Sequence, residues 1–138
     1  SLGYRLVGYS DRALSTWYSQ DRVPNGRVAL AGGVAVERRA QGGGETVTYI
    51  VPVQFSAPGG IALPVEALHV CVGERILLVG AGAQDVIASE GGGLLDAGEQ
   101  PQEGGLSSVL LKAVRAGKGV VSVGQRDNAK TIDVDIKE

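Results

Sequence analysis

Reactive and metal-ligating side chains are scarce in this sequence. One histidine, His69, and one cysteine, Cys71, occur in 138 residues. Zinc sites take three or four Cys or His ligands, and two do not make one. A lone cysteine cannot staple its own chain, and within the apolar run HVCV it reads as a small buried hydrophobe. Aromatics are few, with one Phe, one Trp and four Tyr, which leaves little material for a stacking platform. No apolar run approaches the roughly 18 residues that signal a membrane-spanning helix. No basic-then-hydrophobic leader opens the chain, so nothing argues for export.

Charge of either sign is also in short supply. A net charge of −2 provides no global field toward DNA or an anionic membrane, so neither is expected as a direct partner. The charges are nevertheless unevenly placed. Five acids and no base lie between Asp85 and Glu103, whereas Lys112–Lys130 holds five bases against the single acid Asp127. Two solvated stretches account for this, and so does an acidic lobe facing a basic rim on another copy or on a partner.

Glycine is what the chain has in abundance, 22 residues without a three-residue period. Two explanations compete for the richest stretch, ILLVGAGAQD followed by VIASEGGGLLDAGEQPQEGG. A dinucleotide site needs strand, glycine turn and a helix whose N-terminus meets the pyrophosphate. Here Asp85 stands where the third glycine belongs, and Gly91–Gly93 leave no room for a helix. No GK[ST] is present, and the carboxylates would repel a phosphate. Turn chemistry explains the same residues with fewer demands. The stretch 89–105 is therefore expected to be a glycine-rich acidic loop, with Leu94 and Leu95 pinning its middle and offering a contact surface.

Periodicity elsewhere is that of strands. Ile132, Val134 and Ile136 alternate with Asp133, Asp135 and Lys137, as a strand with one wet face requires. In Glu45–Phe55, Val47, Tyr49, Val51 and Val53 share one face and Thr46, Thr48 and Ile50 the other. Pro52 removes a ladder donor there, which predicts an edge strand or a break. Further strands are expected at Tyr4–Tyr9, Val28–Arg39 with a bend or turn at Gly32–Gly33, Ala67–Val72 with Leu68, Val70 and Val72 inward, and Arg75–Val79. Asp85–Ala88, Ser108–Val114 and Gly119–Val123 complete the set. Eight to ten short strands between glycine turns, without a long amphipathic helix, predict an all-β, small single-domain β-sandwich or β-barrel. Residues 1–27 form an extended N-terminal arm with a first short strand, and 28–138 form the β domain.

Constellations that could carry catalysis have simpler explanations. His69 and Cys71 fall on one strand face, but no third group orients them as a nucleophilic pair. Asp133 and Asp135 stand roughly 6–7 Å apart by strand geometry. That spacing suits a hydrolase pair or a weak calcium contact, yet alternation already explains both as the solvent side of an edge strand. No catalytic residue, metal or cofactor is assigned, and an enzyme is not expected.

The segment VCVGERILLVGAG, then GGGLLDAGEQ, then SSVLLKAVRAGKGVVSV resembles the capsid cement, or head decoration, proteins of tailed bacteriophages. These proteins share a "G-x-x-V-x-L-V" segment, a glycine-rich middle and a closing "A-L-x-A-A-x-A-G-x-x-V-x-V". Here Leu110–Gly117 with Val120, Val121 and Val123 stand in the closing piece. The likeness spans residues 67–123; Gly124–Glu138 and the Trp17–Tyr18 arm have no counterpart in it. It implies a homo-oligomer, a trimer by preference, bound to the major capsid protein on the outer surface of a virion assembled in the host cytoplasm. The implied interface residues are Tyr4, Leu6 and Tyr9, as a strand added to a neighbour's sheet edge. Trp17 and Tyr18, whose other reading is a cover over the edge of the chain's own core, serve in it as aromatic anchors, and Leu94 and Leu95 as a second contact. An Ig-like or carbohydrate-binding sandwich module of a surface or adhesive protein is the alternative.

Overall fold

The computed structural model describes residues 27–31, 34–41, 44–56, 60–81, 88–92, 94–103, 106–124 and 129–138. The expected strand at Tyr4–Tyr9, the Trp17–Tyr18 pair and residues 85–87 lie outside them. All regular structure among the described residues is β. In chain order the strands are β1 (Arg27–Ala31), β2 (Val34–Gln41), β3 (Gly44–Ser56), β4 (Gly60–Ala62), β5 (Ala67–Cys71) and β6 (Arg75–Ala81). They continue with β7 (Ala88–Gly91), β8 (Leu94–Glu103), β9 (Leu106–Ala113), β10 (Gly117–Val123) and β11 (Lys130–Lys137).

Two sheets result. The larger runs β1-β2-β3-β6-β9-β8, with β4 also paired to β3, and the smaller runs β5-β11-β10-β7. Their facing sides share one apolar core. Val51, Val53, Ile76, Leu78, Val109 and Leu111 come from the larger sheet, and Leu68, Val70, Val121, Ile132, Val134 and Ile136 from the smaller. Each such side chain contributes about 1.5–3 kcal/mol when withdrawn from water. The fold is all-β, as the strand periodicity predicts, and of the two expected architectures it is the sandwich.

Alternation decides which residues turn inward. In β11 the buried Ile132, Val134 and Ile136 alternate with residues of the outer face. The larger sheet behaves differently, because Ala35, Ile50, Leu77 and Val79 on its far side are buried as well. This is why β6 reads as the unbroken apolar run ILLV: a strand buried on both faces has no polar alternate.

Three sequence expectations are corrected here. Residues 89–105 contain two strands, β7 and β8, where a loop is expected. Long-range partners supply what the glycines lack, since β7 pairs with β10 and β8 with β9. Pro52 does not end β3, and β3 is not an edge strand of its sheet, although the ladder with β2 breaks before Pro52 as expected. The pairing with β2 stops at Ile50, and Pro52 is aligned with Val79 on the β6 side. The missing donor therefore falls beyond the β2 ladder. Val72 is exposed rather than inward, because β5 ends at Cys71 and Val72 enters a turn.

Strands β3, β6, β7, β8, β9, β10 and β11, lettered A to G in chain order, form the sheets A-B-E-D and C-F-G. That is the strand order of an immunoglobulin-type sandwich. β5 falls between A and B in the chain and pairs in parallel with the last strand, β11. One departure is plain: β3 runs parallel to β6. The β1–β2 hairpin widens the sheet beyond β3.

Candidate functional site

Among the described residues, the tightest polar cluster sits where the chain passes from the smaller sheet to the larger. After β5, Cys71–Glu74 make a β-turn closed by the Glu74 N–H donating to the Cys71 carbonyl at 3.0 Å. Gly73 holds φ at 94°, the left-handed value that a type II turn requires at its third residue. The turn is then tied to its surroundings. Val72 N–H donates to Lys137 O at 2.7 Å, Gly73 N–H to Ala113 O at 2.8 Å, and Ala113 N–H to Glu74 O at 2.9 Å. One turn thus bonds both to β11 and to the end of β9.

The Glu74 carboxylate completes the tie. Its Oε1 accepts the Cys71 backbone N–H at 2.8 Å and the Tyr49 hydroxyl at 2.9 Å. Tyr49 is half-buried against the core. Burial, followed by its hydrogen bond to the Glu74 carboxylate and that group's negative charge, pushes the phenol up to about 12. The cluster is part-buried on the Tyr49 side and holds the phenol proton firmly at neutral pH. Its chemistry is that of a fastener. Sequence periodicity did place Tyr49 on the inward face, but Glu74 lies 25 residues away and no local spacing connects them.

The outer face of the smaller sheet carries the residues that sequence reading weighed for chemistry. His69 Nδ1 lies 3.5 Å from Asp135 Oδ2, and Lys118 Nζ lies 3.6 Å from Asp135 Oδ1. Register puts the three in one row across β5, β11 and β10. His69 and Lys118 are largely exposed, so these are solvent-screened pairs of small energy. Asp133 is exposed beside them. Among the described residues, no group of three or more His, Cys, Asp or Glu side chains is arranged to hold a metal ion.

Cys71 is exposed rather than buried, a correction that follows from parity. Within β5 the inward positions are Leu68 and Val70, and Cys71 shares the outer face with His69. Of the interface candidates, Leu94 is buried in the interlayer core and pins this stretch to the body as expected, whereas Leu95, its neighbour, is 56% exposed. Tyr4, Leu6, Tyr9, Trp17 and Tyr18 lie outside the described residues.

No protein-family model matches the sequence, and no curated protein matches it. Among solved structures, the chain is similar to the crystal structure of the cysteine protease inhibitor EhICP2 from Entamoeba histolytica. The identity is 12% and the TM-score 0.44, over 64% of this chain and 95% of that one. It is also similar to the solution structure of Amebosin, at 11% identity and a TM-score of 0.30, over 51% of this chain and 86% of that one.

Proposed function

We propose that this chain is a non-enzymatic, Ig-like sandwich module that acts by docking on another protein, and that its setting is the outer surface of a bacteriophage shell. The A-to-G strand order supports the module reading. Such sandwiches present loops and sheet edges as attachment surfaces on a rigid core. The Tyr49–Glu74 cluster agrees with it, because its two hydrogen bonds fasten the scaffold.

The viral setting rests on the resemblance over residues 67–123, which runs from the start of β5 to the end of β10. In that setting many identical copies each add a modest interface between capsid subunits, and the shell gains resistance to internal pressure. A standard interface needs only about 1,200–2,000 Å² in total.

Co-sedimentation of the purified chain with undecorated tailed-phage capsids tests the proposal. Saturable binding in a fixed ratio to capsid subunits is expected, with loss of binding but retained β circular dichroism after deletion of residues 1–20. Absence of binding to capsids contradicts the viral setting, and specific capture on a glycan array places the chain among carbohydrate-binding modules instead.

A further inference from the structure

β5 is the last strand of the smaller sheet, and its pairing with β11 uses only one of its two edges. In a parallel ladder alternate residues of a strand bond to the neighbour, and the residues between them turn their N–H and C=O groups the other way. The bonds at the two ends fix which are which. Asp133 N–H donates to Glu66 O at 2.9 Å, and Val72 N–H to Lys137 O at 2.7 Å. Glu66, Leu68, Val70 and Val72 therefore bond toward β11, while Ala67, His69 and Cys71 present their main-chain groups to the other edge. All three are exposed.

One of the three is already taken. Glu74 engages both main-chain groups of Cys71: its N–H donates to Cys71 O at 3.0 Å, and its Oε1 accepts the Cys71 N–H at 2.8 Å. A residue of an adjoining antiparallel strand would make the same two bonds. From the larger sheet, the Tyr49 hydroxyl holds that carboxylate in place at 2.9 Å. Among the described residues, Ala67 and His69 have no such partner on this edge.

An unpaired edge is a template for a further strand, and the spacing of this one is self-complementary. When two β5 strands lie antiparallel with His69 at the centre, Ala67 of one meets Cys71 of the other and His69 meets His69. Every outward group then finds a partner in an isologous contact. With Glu74 in place Cys71 is withdrawn, and the edge shrinks to Ala67 and His69. We propose that the Glu74 carboxylate is an edge cap, which keeps a second copy from adding its β5 to the smaller sheet. The inference stands on these main-chain bonds and does not depend on the viral setting.

Amide hydrogen exchange of the wild type and sedimentation velocity of variants provide the test. In the wild type the Cys71 amide is expected to exchange about tenfold or more slowly than those of Ala67 and His69, which share its edge. The Glu74→Ala variant is expected to associate beyond the wild type as concentration rises, with the His69 amide slowing in step. Tyr49→Phe loses the hydroxyl bond but keeps the Cys71 N–H capped, so it should sediment as the wild type does; it separates uncapping from lowered stability. Within Glu74→Ala, the added change His69→Pro removes an outward donor without a ladder bond and is expected to restore wild-type sedimentation. Circular dichroism reports whether each variant is folded, and should Glu74→Ala unfold, the wild-type exchange rates decide. Equal exchange at the three amides, a folded Glu74→Ala that sediments like the wild type, or association that survives His69→Pro overturns the proposal.

Discussion

The Tyr49 hydroxyl donates to Glu74 Oε1 at 2.9 Å, joining a central strand of the larger sheet to the turn that leads in from the smaller one. The same oxygen receives the Cys71 N–H. Two donors therefore depend on one carboxylate.

Replacing Glu74 by alanine leaves both donors without that acceptor. An unpaired, partly buried donor costs about 1–3 kcal/mol. The Glu74→Ala variant is expected to unfold at lower urea by about that amount, and Glu74→Gln, which keeps an acceptor oxygen, by less. Equal stability of Glu74→Ala and the wild type in equilibrium denaturation refutes the fastening role.

Alkaline titration probes the other partner. The Tyr49 phenol is raised from 10.0 to about 12, so between these values the unfolded chain loses a proton that the folded chain keeps. The stabilisation is complete below pH 10 and is lost as pH rises toward 12. The urea midpoint should fall across that window, and Tyr49→Phe should flatten the fall. Ultraviolet difference titration should show one late-ionising tyrosine fewer in the variant than in the wild type.

Two glycines separate backbone strain from steric crowding. Gly73 holds φ at 94° with nothing within 4 Å of where a Cβ would stand. Gly73→Ala should cost only the strain of a left-handed residue, about 1–3 kcal/mol. Gly92 has φ at 70°, and a Cβ there runs into the Lys118 carbonyl oxygen and Gly119 Cα, all backbone. Gly92→Ala should be distinctly the more destabilising of the two by thermal melting, since the β7–β8 connection must move away from β10.

Core truncation should show the sandwich behaving as one unit. Leu111 in β9 and Ile132 in β11 are both fully buried and belong to the same cluster. Alanine at either should cost about 2–5 kcal/mol with a single unfolding transition by fluorescence and circular dichroism alike. Two separate transitions would mean that the sheets do not share a core.

Much of this fold was legible because one-face burial writes itself into alternate residues. Ile132, Val134 and Ile136 show it, as do Leu68 and Val70, and the core face of β3. Where pairing is long-range, local composition misleads. The glycines of 88–103 read as loop because nothing nearby reveals that β9 and β10 will bond to them, and Pro52 reads as a strand end because the extent of β2 is invisible in sequence. Sheet order is likewise set by partners far apart in the chain, such as β5 with β11. The Tyr49–Glu74 bond was beyond local reading for the same reason. A glutamate directly after a turn glycine, and a tyrosine on an otherwise aliphatic inward face, were the only signals it left.

Backbone amide NOEs between Ala67–Cys71 and Asp133–Lys137 test the strand order of the smaller sheet, β5-β11-β10-β7. A parallel register with His69 opposite Asp135 and Val70 opposite Ile136 is the expected result. Antiparallel contacts between these strands, or β5 paired instead with a strand of the larger sheet, would contradict it.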